Sequence, residues 1–146
     1  MKVKIGTKVE VCSEEEGYGG AWFEGSVIGF GNGRKKRTFF VRYEKFVAED
    51  LNGEALVEEV CLKNMRPIPP YKRMPKNLSA GIAVEALDSD CWWRGFIITR
   101  FRSPFSGEEL FQVYFPDTRT IKAYPRSDLR PAQEWIRGKW RPLLCS

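Results

Sequence analysis

Gly6-Thr7-Lys8-Val9-Glu10-Val11, Trp22-Phe23-Glu24-Gly25-Ser26-Val27-Ile28, Val41-Arg42-Tyr43 and Met65-Arg66-Pro67 form an ordered series that the chain then repeats. The second pass is Gly81-Ile82-Ala83-Val84-Glu85-Ala86, Trp92-Trp93-Arg94-Gly95-Phe96-Ile97-Ile98, Val113-Tyr114-Phe115 and Leu129-Arg130-Pro131. Matched positions are offset by 75, 70, 72 and 64 residues, so one unit is used twice with loops of different length. Such a repeat governs the architecture before any local reading does. Units of about 65 residues lie near the lower size at which a core sustains itself, and two of them gain by packing together.

Each pass reads as short strands. Val9 and Val11 alternate with polar residues, the period of a half-buried strand. Trp22 to Phe30, Arg37 to Tyr43 and Ala55 to Cys61 follow, rich in β-formers, with Asn32-Gly33 as the hairpin signal and Glu44 to Glu54 as a polar excursion. In the second pass the strands run Ile82 to Leu87, Trp92 to Phe101, Leu110 to Phe115 and Thr120 to Tyr124. The spacing predicts an all-β chain of two tandem small β-barrels. Barrel 1 covers residues 1–68, a proline-rich linker 69–79, barrel 2 residues 80–131, and a C-terminal helix and tail residues 132–146. The helix is read from Pro131 at its start and Gly138 at its stop.

Composition narrows the chemistry. The chain has no histidine, which removes the usual proton shuttle and imidazole metal sites. Its four cysteines show no C-x-x-C spacing and read as reduced thiols rather than a zinc site. No cofactor, metal, small-molecule substrate or enzymatic activity is expected, and no apolar run of membrane length is present. The net charge of +5 is uneven: residues 1–70 carry 11 Lys+Arg against 11 Asp+Glu, residues 71–146 carry 13 against 8. Aromatic residues make up 14% of the chain, a surplus over what two small cores need and a hint of ring-lined binding surfaces.

Taken in order and twice over, these motifs resemble the Agenet domain, the plant-type branch of the Tudor-like Royal family. The resemblance extends to Val57-Glu58-Glu59-Val60 before Arg66-Pro67 and to the ending Leu129-Arg130-Pro131 through Trp135 to Trp140. It implies Tudor-like, SH3-like barrels acting as a nuclear, chromatin-linked reader without catalysis. The partner would be a histone tail, H3 in the first instance, carrying a methylated lysine held in an aromatic cage.

Carrying the cage onto the first unit selects Phe23, Tyr43 and Phe46, with Trp22 beside them and an acidic flank of Glu14, Glu15, Glu16 and Asp50. The second unit offers Trp93 and Phe115 with Asp117 and Asp88. It has no aromatic matching Phe46, which makes the first unit the fuller cage. Phe23 can equally be core, since adjacent strand residues face opposite ways and Trp22 would then lie outside. Two other readings stand beside the reader. One is a DNA- or RNA-binding module using Arg34, Lys35, Lys36 and Arg37, a run that also reads as a solvated hairpin turn or an import signal. The other is a scaffold that binds an unmodified partner peptide.

Overall fold

A computed structural model describes residues 1–13, 19–33, 37–47 and 54–143, with Phe46 and Val47 described by backbone alone. Contacts divide the chain into two compact units, residues 1–13 with 22–69 and residues 14–21 with 70–146.

The first unit contains β1 (Lys8–Cys12), β2 (Ala21–Phe30), β3 (Thr38–Val47), β4 (Ala55–Cys61), a 3-10 turn (Leu62–Asn64) and β5 (Met65–Pro67). The second contains β6 (Ala83–Asp88), β7 (Cys91–Arg102), β8 (Glu109–Phe115), β9 (Thr120–Pro125), a 3-10 turn (Arg126–Asp128) and β10 (Leu129–Pro131), followed by β11 (Gln133–Ile136) and β12 (Lys139–Pro142). Within each unit the described pairing is antiparallel, in the orders β5-β1-β2-β3-β4 and β10-β6-β7-β8-β9. The sequence repeat is therefore a repeat of topology. It extends to a register shift at Val27/Gly29 and again at Ile97/Thr99. Such shifts increase the local twist and bend a strand. The expectation of all-β units holds. Among the described residues β4 does not pair with β5, nor β9 with β10, so each ladder is an open path rather than the closed ring expected of a barrel.

The expected C-terminal helix is absent. Gln133–Ile136 and Lys139–Pro142 form a hairpin in the register Trp135↔Trp140 and Ile136↔Lys139. Gly138, read as a helix stop, is a hairpin residue instead: Arg137 (φ 51°) and Gly138 (φ 76°) are both left-handed, as a two-residue turn that follows strand twist requires. The β-forming residues Trp135, Ile136 and Trp140 and the cross-strand Trp pair prevail over the Pro-start, Gly-stop signature.

Each core lies on one face of its sheet. Val9, Val11, Val27, Phe39, Val41 and Met65 pack in the first unit; Val84, Ala86, Ile97, Phe111, Val113 and Leu129 pack at equivalent places in the second. Leu78, within the stretch read as linker, is buried in the second core. Arg126 donates to the carbonyls of Pro75 (2.7 Å) and Lys76 (3.2 Å), tying that stretch down further.

On the opposite face of β1 and β6 lies a buried charge. Glu10 is 1% exposed and accepts from Arg66 Nε at 2.9 Å and Nη2 at 2.7 Å, while the Arg66 guanidinium lies 3.8 Å from the Trp22 ring centre. The copy repeats it: Glu85 is 1% exposed, accepts from Arg130 Nε at 2.9 Å and Nη2 at 2.8 Å, and Arg130 lies 4.0 Å from the Trp92 ring centre. The repeated Glu, Trp and Arg of the sequence are thus one triad. Removing a single partner strands a buried charge. Arg66→Ala is accordingly expected to destabilise the protein by about 3–5 kcal/mol in chemical denaturation. Replacing Glu10 and Arg66 together by apolar residues of similar volume should recover most of that loss.

Candidate functional site

In the first unit Phe23 and Gly25 share a face of β2, and Gly25 pairs with Tyr43 on β3. A Cβ on Gly25 would lie 2.6 Å from Val41 Cγ1 and 2.8 Å from the Arg42 carbonyl oxygen, so the glycine is what lets β3 pass this close. The Tyr43 ring consequently meets Phe23 edge to face, centroids 6.3 Å apart at 73°. Tyr43 is buried and Phe23 half-buried, and both join the core. Trp22 is not brought to them. It faces the other side of β2, where it stacks on Arg66. Phe46 lies in β3, but its side chain falls outside the described atoms, as Glu14, Glu15, Glu16, Asp50, Arg34, Lys35 and Lys36 fall outside the described residues. Arg37 sits with its guanidinium 5.4 Å from the Phe39 ring centre.

The second unit assembles a larger cluster. Gly95 repeats the part of Gly25: a Cβ there would lie 2.9 Å from Phe115 Cδ1, so the Phe115 ring occupies the space next to Trp93 on the same face. Phe115 also meets Tyr124 of β9 edge to face, centroids 5.9 Å apart at 86°. Asp88 closes the group. Its carbonyl accepts the Trp93 indole N–H at 2.9 Å, and its Oδ2 accepts the Tyr124 hydroxyl at 2.6 Å. Ser89 Oγ donates to Oδ1 at 3.2 Å, and Lys122 Nζ lies 3.4 Å from Oδ2. Ser89 (φ 53°) and Asp90 (φ 63°) form the tight β6–β7 turn that points Asp88 inward. Asp117 is not part of the cluster. It lies in the β8–β9 turn, where a Cβ on Gly20 would collide with its carboxylate.

Tyr124 is the aromatic that sequence reasoning missed. Thr120, Lys122 and Tyr124 alternate onto the side of β9 that pairs with Phe115, Val113 and Phe111, so the period-two pattern carried the signal. The first unit has Val60 in the place of Tyr124 and Ser13 in the place of Asp88, which confines the aromatic–carboxylate cluster to the second copy.

The electrostatics are those of a fixed anion beside rings. The Tyr124 hydroxyl bond, aided by the Lys122 ammonium and opposed by burial, holds the Asp88 carboxyl below the usual carboxylate range. Burial, and then the bond to Asp88, raises the Tyr124 phenol above its ordinary range. Burial likewise pushes the neighbouring Cys91 thiol up to about 11. At neutral pH the cluster therefore presents one ionised carboxylate, with Trp93 half exposed and Phe115 and Tyr124 buried behind it. An organic cation is what such a group attracts.

Because the folded Asp88 pKa lies below its unfolded value, its contribution to stability is intact above the ordinary carboxylate pKa and is lost as pH falls through the depressed value. Tyr124 behaves in the opposite sense: its raised pKa gives a contribution intact below the ordinary phenol pKa and lost as pH rises above it. In denaturant titrations, Asp88→Asn is expected to be less stable than the parent at neutral pH. The gap should narrow as pH is lowered through the acid range.

The Agenet domain family matches residues 6–70. The protein AGENET DOMAIN (AGD)-CONTAINING P1 of Arabidopsis thaliana is 36% identical over 136 residues, 93% of this chain and 25% of that protein. This chain spans a quarter or less of the length of the first three curated relatives it matches. Among solved structures, the crystal structure of Arabidopsis thaliana AGDP1 AGD34 superposes with a TM-score of 0.79 at 29% identity, over 95% of this chain and 88% of that one. The SHH1 SAWADEE domain, solved in complex with an H3K9me3 peptide, shares the fold at a TM-score of 0.51 and 16% identity over 88% of this chain and 98% of that one. With the family matched over the first unit, its motifs and topology repeated in the second, and an Agenet-domain relative aligned over 93% of this chain, this chain belongs to the Agenet domain family.

Proposed function

We propose that this chain is a nuclear, non-enzymatic chromatin reader made of two Tudor-like β units that holds a methylated lysine of a histone tail. The grip is assigned to Trp93 and Asp88, backed by the buried Phe115 and Tyr124 rings, and Phe23, Tyr43 and Phe46 are a separate candidate cage in the first unit. The observation that carries the reading is the Asp88 carboxylate, pinned at 2.6 Å by the Tyr124 hydroxyl, on the residue whose backbone carbonyl accepts the half-buried Trp93 indole N–H. A methylated ammonium is weakly hydrated and spreads its charge, so ring faces attract it by about 2 kcal/mol once water is excluded, roughly a thirtyfold preference. An unmodified lysine keeps a compact, well-hydrated ammonium that is expensive to strip. The fold it shares with a domain solved with an H3K9me3 peptide supports the choice of ligand.

Lys122 acts as a resident cation. Its side chain is 60% exposed and 3.4 Å from Asp88 Oδ2, an ion pair of the surface kind worth at most about 1 kcal/mol. An incoming methylammonium displaces it easily.

Calorimetric titration of H3 and H4 tail peptides, each with and without lysine methylation, tests this reading. Methylated peptide is expected to bind at least tenfold more tightly than unmodified, and Trp93→Ala to remove that difference while the circular dichroism of the fold is kept. Lys122→Ala should tighten binding by up to about fivefold, the equivalent of the surface pair. Equal affinity for modified and unmodified peptides would sink the reading.

A further inference from the structure

The β11–β12 hairpin is cationic. Its tip and second strand expose Arg137, Lys139 and Arg141, none of which has a carboxylate partner among the described residues. The one carboxylate of residues 131–143, Glu134, is paired with Arg94 at 3.4 Å. Arg94 also donates to the Gln133 carbonyl at 3.0 Å, Gln133 Nε2 donates to the Pro70 carbonyl at 3.0 Å, and the Leu143 N–H closes the base on the Ala132 carbonyl at 2.9 Å. The Trp135 and Trp140 rings brace each other across the strands, centroids 5.4 Å apart. The charges are thus held on a preorganised support, which lowers the entropy lost on binding.

The turn residue itself is informative. Arg137 adopts φ 51°, a left-handed conformation that disfavours a side chain and that Asn or Gly takes readily at the first position of such a turn. A strained backbone that places an unpartnered cation at an exposed tip is the kind of outlier that accompanies function.

We propose that this hairpin is a DNA-binding element that contacts the phosphate backbone of a duplex, independently of the aromatic–carboxylate cluster. The charge excess of the second half of the chain agrees with a polyanionic partner. Lys139 and Arg141 lie on one face of β12, about 7 Å apart, and Arg137 extends the series at the tip. A two-stranded ribbon also has the width that a DNA major groove admits. The two indoles pack against each other at a tilt of 55° and are half-buried, so they do not offer the open stacking platform that single strands use.

Fluorescence anisotropy of a short labelled duplex, with the whole chain and across a salt series, tests the proposal. Three phosphate contacts give a slope of log affinity against log salt of about −2.7. Arg137→Asn is the decisive variant, because Asn-Gly favours this turn: the slope should fall to about −1.8 while thermal stability is unchanged or raised. Lys139→Gln with Arg141→Gln should lower it to about −0.9. Binding of methylated peptide should be unaffected by all three substitutions. The proposal is overturned if the parent fails to bind duplex at low salt, if the triple variant binds as the parent does, or if single-stranded RNA is bound more tightly than duplex DNA.

Discussion

A carboxylate buried against a guanidinium, Glu10 with Arg66 and Glu85 with Arg130, ties the first strand of each unit to its fifth. The pair lies opposite the apolar core, under a tryptophan contributed by the second strand, so three strands meet at one ionic contact. Its value is conformational more than energetic, since an apolar replacement of both partners would be about as stable. A one-residue slip of β1 would turn Glu10 into the apolar core and Val9 and Val11 out of it, a double penalty that only the native register avoids. The 3-10 turns at Leu62–Asn64 and Arg126–Asp128 deliver Arg66 and Arg130 to these positions.

With both frames held alike, the differences between the copies become chemical. Gly25 and Gly95 perform the same task, letting the third strand approach so that the aromatic paired across from the glycine, Tyr43 or Phe115, lies beside the ring of the second strand. What the second copy adds is Tyr124 and Asp88, where the first has Val60 and Ser13. A phenol hydroxyl bonded to a carboxylate converts a core edge into a fixed negative charge next to an indole. The same copy ends in the β11–β12 hairpin, clamped through Arg94 to the Glu85 that anchors the frame. One buried glutamate thereby supports both the sheet and the base of a cationic finger.

Much of this was legible from residues alone. The repeat follows from the recurring motifs, and the strands and the inward face of β1 from period-two patterning, which is a local property of the chain. The Glu, Trp and Arg of the repeated motifs were visible as letters, but their convergence was not, because Glu10 and Arg66 are 56 residues apart and meet only when β1 pairs with β5. The C-terminal segment shows the limit from another side. Pro131 and Gly138 are punctuation for a helix and for a hairpin alike, and the Trp135↔Trp140 pair that decides between them exists only once the strands have met.

The sequence by itself determined that two copies of one β-rich unit would form, because hydrophobic alternation and turn residues act over a few neighbours. It also determined that histidine chemistry was excluded and that positive charge gathers in the second half. Only the tertiary structure decided which rings keep company: Trp22 leaves Phe23 for Arg66, and Tyr124 joins Phe115, Trp93 and Asp88. Strand pairing sets those neighbourhoods. It brings together residues from four different strands, and no spacing along a single strand encodes which ones will touch.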